Sequence, residues 1–234
     1  HDWHFENFAN AFSRLSTLRQ YKRSGTRIYL YDSYLYGLLY AVGGAVMQTL
    51  CTSIVAYLTA KYDNVFSRIF HKAVLFTLIL PIAGNIVSQL DLVRKMHIWN
   101  SILGTYIQKF GFTNMYYLVF YAAFKRLSWE FAESAFIDGA GHFKVFFKIM
   151  FPLSLGLFGT VTLLFFVGLW NDYQYPLMFI PDSATPSVLL FDVMTNYSME
   201  RPPLKAVCAL LVCLPILIVF LIFRDKVMCN LTEG

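Results

Sequence analysis

The hydrophobic pattern of this chain consists of long windows without a charged residue, separated by short polar stretches. A helix needs about 20 apolar residues to cross a hydrocarbon core of about 30 Å. The first and fourth windows meet this length, and the second and fifth reach it with their flanks. The third reaches it only if its helix extends back through Lys109 and Gln108 towards Ile102. The pattern therefore predicts five transmembrane helices, and the windows are 33–60, 73–90, 111–124, 149–171 and 206–223.

The amino-acid composition favours a membrane protein over a soluble one. Hydrophobic residues make up 57% of the chain and charged residues 14%, against about 25% charged in an average soluble domain. We therefore predict an all-α integral membrane protein, with a large soluble helical core as the alternative. Residues 1–31 lack the apolar region of a signal peptide and are predicted to be an external segment. A transmembrane domain at 32–226 and a cytoplasmic tail at 227–234 follow.

Lysine and arginine residues in the loops favour one orientation. If the loop that contains Glu133 is cytoplasmic, nine basic residues lie inside and four lie in the external loops. The five basic residues of the N-terminal segment would also be external, which makes the two totals equal. We expect this orientation nevertheless, because a helix preceding the segment would fix it.

The polar stretch at 128–150 has the pattern of a short amphipathic helix followed by a hinge. Ser128 can cap the helix, and Glu133 lies near its positive N-terminal end. Gly139 can turn the chain with little steric penalty. A second segment then rises into the next window, where Lys144 can place its charge among lipid headgroups. Two interpretations stay open, namely a helix lying on the membrane surface and a helix inserted into a groove of a partner.

Small residues recur at every fourth position of the first window. In lipid, such a stripe marks a place where another helix approaches closely. It is therefore either the seam of a gate or subunit, or a packing surface within the chain. Its members are Gly37, Ala41, Ala45, Thr49 and Ser53.

Polar residues inside the windows are a further candidate, because polar side chains are costly in lipid. Amides, a carboxylate and aromatic rings occur together at the end of the fourth window and in the third. This combination suits sugars, which have apolar ring faces and many hydroxyl groups. The alternatives are an interfacial aromatic belt and the capping of helix ends. The predicted substrate path comprises Asn114, Tyr117, Trp170, Asn171, Asp172 and Tyr173.

The sequence predicts neither a metal site nor a nucleotide site. His71, His97 and His142 lack the paired spacing of a motif such as HExxH. The four cysteines show no metal-ligand spacing or disulfide framework. The chain also contains no GxxxxGK[ST] phosphate loop, so any ATP chemistry must come from another chain.

The stretch at 133–153, ESAFIDGAGHFKVFFKIMFPL, resembles the EAA loop of permeases from binding-protein-dependent ABC importers. The resemblance is strongest to the carbohydrate subgroup, the maltose-permease type. It continues in TNMYYLVFYAAFKRL and WNDYQYPLMFI, and it covers nearly the whole chain. The chain departs from the family at Ser134, which replaces an alanine, and at Ser128, where a proline is common. Family members usually have six spans, and the first is absent from this sequence.

The resemblance implies a type I ABC importer permease, which is a helix bundle that moves solute by alternating access and catalyses no reaction. Its short cytoplasmic helix would dock on an ATPase subunit and transmit the closure of that subunit to the spans. The implied ATPase-coupling residues are Glu133, Ser134, Ala135, Asp138, Gly139 and Ala140.

The same resemblance implies the setting and the partners. We expect a multi-pass protein of the bacterial cytoplasmic (inner) membrane that acts with a second permease subunit, two ATPase subunits and an extracytoplasmic solute-binding protein. This chain would bind no cofactor, because ATP and Mg would be bound by the ATPase subunits. The expected cargo is a sugar or oligosaccharide. An amino acid, a polyamine or an oxyanion is an alternative cargo, and a nontransporting membrane scaffold is an alternative function.

Overall fold

A computed structural model describes residues 6, 9–10, 13, 19–20, 27–28, 30–80, 84–196 and 202–232 of the chain. Two short strands, β1 (Arg19–Gln20) and β2 (Arg27–Ile28), pair in antiparallel fashion, with Arg19 opposite Ile28. The hydrophobic windows did not predict this pair. The other described elements are helical, which confirms the all-α class.

The helices follow one another with short connections, and two π-helical turns interrupt them. In chain order they are α1 (Leu30–Leu38), a π turn (Leu39–Gly43), α2 (Gly44–Lys61), α3 (Val65–Ile79), α4 (Asn85–Lys95), α5 (Ile102–Gln108), α6 (Met115–Arg126), α7 (Glu130–Ile137), α8 (His142–Val145), a second π turn (Phe146–Met150), α9 (Phe151–Leu153), α10 (Leu155–Asn171), α11 (Gln174–Phe179), α12 (Pro186–Asn196) and α13 (Pro202–Thr232).

Spans are recognisable by length and apolar composition in part of the described chain. Within the described residues, the continuous helix Tyr31–Lys61 is long and apolar enough to cross a membrane. The pair His142–Leu153 and Leu155–Asn171 would be a second such span if its 80° bend is accepted. Pro186–Thr195 and Lys205–Val219 are shorter apolar helices. The predicted total of five spans therefore stays a prediction.

The second window does not form one uninterrupted helix, so that prediction was wrong. Helix α3 ends at Ile79, and α4 begins only at Asn85. Gly84 precedes α4 with a φ of 83°, a conformation that L side chains rarely adopt. Pro81 lies outside the described residues.

The third window does not extend back to Ile102 as one helix either. Helix α5 ends at Gln108, and α6 begins at Met115 after an extended Asn114. Polar groups of α2 bind the unwound segment, since the Cys51 thiol donates to the Phe110 carbonyl (3.0 Å) and the Asn114 amide donates to Thr52 Oγ1 (2.9 Å). The Cys51 bond gives the Phe110 carbonyl a partner that a helical turn would otherwise have supplied.

The fourth window bends at Ser154 instead of running straight. Pro152 lacks the N–H that would bond the carbonyl four residues earlier, and the second π turn lies just before it. The Ser154 hydroxyl donates to the Phe151 carbonyl at 2.9 Å. The first π turn, between α1 and α2, does not interrupt the continuous helix Tyr31–Lys61. Helix α13 likewise continues through Pro215 and past residue 227, where the tail was predicted to begin.

The chain divides into two compact units, each with its own core. Unit 1 comprises His1–Gly44, Gly84–Ile107 and Phe166–Arg224, and Leu189, Cys208 and Val188 are central to its core. Unit 2 comprises Ala45–Ala83, Gln108–Phe165 and Asp225–Gly234. Its core is rich in aromatic side chains, including the fully buried Tyr117, Phe120 and Phe124.

Candidate functional site

The first candidate site is the α7 hairpin (residues 128–145), which lies wholly in unit 2. Its entry is fixed by local bonds. The Ser128 hydroxyl accepts the Glu130 amide N–H at 3.2 Å, but the N-cap position is Trp129, whose side chain makes no capping bond, so Ser128 lies one residue before the cap that the sequence predicted it to be. The Trp129 carbonyl accepts the N–H groups of Ala132 (2.8 Å) and Glu133 (3.0 Å). Helix α7 therefore starts at a defined position despite its length of eight residues.

A glycine turn ends α7. Gly139 has a φ of 76°, its N–H donates to the Phe136 carbonyl (3.0 Å), and the Ala140 N–H donates to the Ala135 carbonyl (2.9 Å). This pair of bonds is the Schellman motif. A Cβ at Gly139 would meet nothing within 4 Å. Backbone conformation, and not lack of space, therefore requires glycine here.

Helix α7 has one buried side and one exposed side. Ala132 is completely buried, whereas Ile137 is 86% exposed and Phe131 is 51% exposed. Among the predicted coupling residues, Ala135 and Ala140 are half-buried, and the other four are exposed: Glu133, Ser134, Asp138 and Gly139. Within the described chain, neither Glu133 nor Asp138 has an ion-pair partner. The hairpin thus presents apolar side chains beside unpaired carboxylates.

Four aromatic side chains at the base of the α7 hairpin contact one another, and we call them the hairpin-base cluster: Tyr62, Trp129, Phe136 and His142. Tyr62 Oη and His142 Nδ1 lie 2.7 Å apart. The Lys61 ammonium donates to the Leu127 carbonyl at the end of α6 and lies 5.9 Å from the centre of the Trp129 ring. Sequence reasoning missed Lys61 and Tyr62 as functional candidates. The available signal was their position directly after the longest apolar window.

The turn that carries Tyr62 is itself fixed. Asn64 caps α3 by accepting the Ser67 N–H at 2.7 Å. The Arg68 guanidinium donates to Asp63 Oδ1 at 2.8 Å and lowers the pKa of that carboxyl, first through the hydrogen bond and then through charge. Both charged groups are exposed, so their bond organises the turn locally and contributes little to overall stability.

The second candidate site is the segment after α10, in unit 1. Asp172 is half-buried and fully engaged, because Tyr40 Oη donates to its Oδ2 (3.1 Å) and the Tyr175 N–H donates to its Oδ1 (3.1 Å). The Tyr40 and Tyr175 rings stack at 6.4 Å. Tyr40 belongs to the first π turn, a feature frequent at functional sites. Neither tyrosine was among the predicted path residues.

The neighbours of Asp172 differ in exposure. Trp170 is only 2% exposed, and its indole N–H donates to the Val212 carbonyl at 3.0 Å. Asn171 is exposed and donates to the Val167 carbonyl at 2.9 Å. Tyr173 is partly exposed and stacks on Phe191 at 4.4 Å. Asp172, Asn171 and Tyr173 are therefore accessible to a solute, whereas Trp170 packs in the core.

The two remaining path residues lie in unit 2. Tyr117 is fully buried and bonds to Thr59 Oγ1 (2.7 Å) and His71 Nδ1 (2.9 Å). Asn114 uses its amide nitrogen on Thr52, while its buried Oδ1 has no partner in the described structure. Because the six residues belong to two separately described units, a single path formed by all of them stays a prediction.

The small-residue stripe is buried by this chain alone. Gly37, Ala41, Ala45, Thr49 and Ser53 are all buried. At Gly37, an added Cβ would lie 2.6 Å from Cδ of Pro186, so the contact with α12 requires glycine. Packing within the chain accounts for this burial without a second subunit.

Comparisons with known proteins agree on one family. Residues 48–227 match the family model described as "Binding-protein-dependent transport system inner membrane component". The diacetylchitobiose uptake system permease protein NgcG of Streptomyces coelicolor is 24% identical, over 99% of this chain and 74% of the relative. The melibiose/raffinose/stachyose import permease protein MelC of Bacillus subtilis is 25% identical, over 100% of this chain and 81% of the relative.

A solved structure supports the fold. A chain from the crystal structure of a bacterial ABC transporter involved in import of the acidic polysaccharide alginate superimposes with a TM-score of 0.74. The match covers 96% of this chain and 80% of that chain, at 19% sequence identity. At this identity the likeness shows a shared type I importer permease fold.

Proposed function

The chain belongs to the family of inner membrane components of binding-protein-dependent transport systems, and on this premise we propose that it is a permease subunit of an ATP-driven importer of sugars or oligosaccharides. As a family member it is a transport subunit. The proposal adds the energy source, the cargo and the residues that serve them.

The α7 hairpin is the observation that carries the energy-coupling part of the proposal. It is short, the Ser128 hydroxyl bonds its first N–H, a Schellman turn ends it, and its outer face combines exposed apolar side chains with carboxylates that have no ion-pair partner among the described residues. A groove on an ATPase subunit suits such a helix, because its apolar residues can be buried while Glu133 and Asp138 meet basic groups at the rim. ATP and Mg would be bound by that subunit.

The cargo part rests on the relatives. NgcG and MelC are described as permeases for diacetylchitobiose and for melibiose, raffinose and stachyose, and we extend a carbohydrate cargo to this chain. Asp172, oriented by Tyr40 and Tyr175, is the favoured solute contact. A fixed carboxylate beside aromatic rings can accept hydrogen bonds from sugar hydroxyl groups and exclude anionic solutes.

The remaining partners follow from this function. We propose that a second permease subunit completes the translocation path, and that a solute-binding protein delivers the sugar from outside a bacterial inner membrane. The α7 hairpin would face the cytoplasm, where the ATPase subunits are.

Uptake by proteoliposomes tests the proposal. The complex is purified through a tag on this chain, reconstituted with its solute-binding protein, and offered labelled di- and oligosaccharides with ATP or a non-hydrolysable analogue. We expect ATP-dependent uptake of at least one sugar. Uptake of an amino acid, a polyamine or an oxyanion instead would refute the carbohydrate cargo, and the absence of any ATP-dependent uptake would refute the transport role.

A further inference from the structure

Lys61, the last residue of α2, and Tyr62, which follows it, bond to the chain before and after α7. On the entry side, Lys61 donates to the Leu127 carbonyl. On the exit side, Tyr62 bonds to His142, which lies 80 positions further along the chain. The last residue of α2 and the residue after it therefore bond to the segments that precede and follow α7.

The four aromatic side chains of the hairpin-base cluster contact one another in a closed series. Tyr62 meets Trp129 edge-on at 5.7 Å, and Trp129 meets Phe136 at 6.0 Å. Phe136 meets His142 at 4.9 Å, and His142 meets Tyr62 at 5.5 Å. Because Trp129 precedes α7, Phe136 belongs to it and His142 follows it, a tilt of α7 must displace rings that touch Tyr62.

Tyr62 in turn is anchored to the core of unit 2. Its ring packs edge-on against Tyr57 at 5.9 Å, and Tyr57 is almost completely buried. Tyr57 contacts Phe124 at 5.5 Å and Phe146 at 4.9 Å. A displacement of Tyr62 is therefore passed to α2 and to the core rather than absorbed by a loose side chain.

Two cavities border the Tyr62–His142 pair. A cavity of about 570 Å³ and another of about 130 Å³ are both lined by Leu58, Tyr62 and His142. The two side chains are therefore packed only in part, against each other and against the other rings of the hairpin-base cluster. The hydrogen bond between Tyr62 Oη and His142 Nδ1 is the specific link, whichever of the two atoms carries the proton.

We propose that Tyr62 and His142 are a positioning pair that transmits movement of the α7 hairpin to α2. Helix α2 is the C-terminal part of the continuous apolar helix Tyr31–Lys61. This role rests on the proposed coupling function of the hairpin. Neither residue contacts solute or nucleotide in this scheme. They determine how much of the hairpin's movement reaches the helix.

The first test measures the link without any cargo. Hydrogen exchange of the 130–140 amides is followed in the purified complex for the wild type, Tyr62→Phe and His142→Phe. Both substitutions keep a ring and remove the hydrogen bond. We expect exchange of these amides to accelerate about twofold to tenfold, the range for loss of one net hydrogen bond. Tyr116→Phe is the matched control, because no hydrogen bond of its hydroxyl occurs in the described structure.

The second test measures transmission in the same complexes. The ratio of sugar-stimulated to basal ATPase should fall at least threefold in Tyr62→Phe and His142→Phe, and the double variant should lose no more than either single variant. A merely structural role predicts faster exchange throughout unit 2, α6 included, and additive losses. Those results, or unchanged exchange at 130–140, would overturn the proposal. If no sugar stimulates the wild type, the proposed cargo fails, and the exchange test still decides the role of the pair.

Discussion

The α7 hairpin and the segment around Asp172 use their polar groups in opposite ways. In the hairpin, the backbone is tightly bonded while the carboxylates of Glu133 and Asp138 are exposed and have no ion-pair partner in the part of the chain that the structure describes. Around Asp172, the polar side chains are bonded within the chain, to Tyr40, to Tyr175 and to helix carbonyls. A surface with unpaired charges is suited to binding a partner. A segment whose polar side chains are already hydrogen-bonded within the chain must exchange those bonds before it can bind a solute.

This difference makes the hairpin the site where substitutions should have the larger consequences. In the proposed function, changes there would remove contacts with the ATPase subunit. Changes near Asp172 remove internal bonds first and solute contacts second.

Gly139→Pro should have the largest effect. Proline requires a φ near −65°, whereas Gly139 has a φ of 76° and donates its N–H to Phe136. The turn must therefore reorganise, and we expect sugar-stimulated ATPase to fall at least tenfold in the purified complex. Gly141→Ala is the matched control, since Gly141 has an ordinary φ of −75° and space for a Cβ. Equal activity of the two variants would remove the turn from the coupling mechanism.

Glu133→Lys should have the next largest effect. It reverses an exposed charge near the N-terminal end of α7, where a cation is disfavoured by the helix dipole. We expect uptake and stimulated ATPase to fall about threefold to tenfold, chiefly through weaker docking of the ATPase subunit. Lys144→Glu provides a charge reversal on an exposed side chain beyond the turn. Losses of the same size in both variants would indicate a general charge effect.

Asp172→Asn should have a smaller effect, and one that differs in kind from the effects of the hairpin variants, because it should alter sugar binding and not ATPase stimulation. The amide keeps the size of the side chain and can still accept from Tyr40, so the complex should assemble normally. We expect the apparent KM for sugar uptake to rise about threefold and the ratio of stimulated to basal ATPase to remain at its wild-type value when sugar is saturating. An unchanged KM would exclude Asp172 from the solute path.

Asn171→Ala should have the smallest effect. The side chain is exposed and donates only to a helix carbonyl, so its removal costs little stability. If Asn171 contacts the sugar, KM should rise by less than in Asp172→Asn, which uptake kinetics will show. A rise larger than that of Asp172→Asn would shift the candidate contact from the carboxylate to the amide.

The sequence predicted the hairpin well because its determinants are local. A serine before the helix and a glycine after it predict a bond at the helix start and a turn at its end, and in the structure Ser128 bonds the Glu130 N–H and Gly139 forms the turn. The windows predicted apolar character but not helix continuity. The segment before α6 is bonded by Cys51 and Thr52, which are distant from it in sequence.

The same limit explains what was missed at both sites. Tyr40 meets Asp172 across 132 positions, and Tyr62 meets His142 across 80. Residue spacing within one helix cannot predict contacts between residues so far apart in the sequence. Trp170 was predicted to line a path because of its type and neighbours, whereas burial and its bond to Val212 place it in the core.

Photo-cross-linking from position 137 tests the central claim most directly. Ile137 is 86% exposed on α7, so a benzoylphenylalanine there should reach whatever covers the hairpin. We predict a product in intact membranes that contains this chain and an ATPase subunit, identified by mass spectrometry through its phosphate loop, with a yield that Gly139→Pro reduces. Products with lipid alone would contradict the account and favour a helix that lies on the membrane surface.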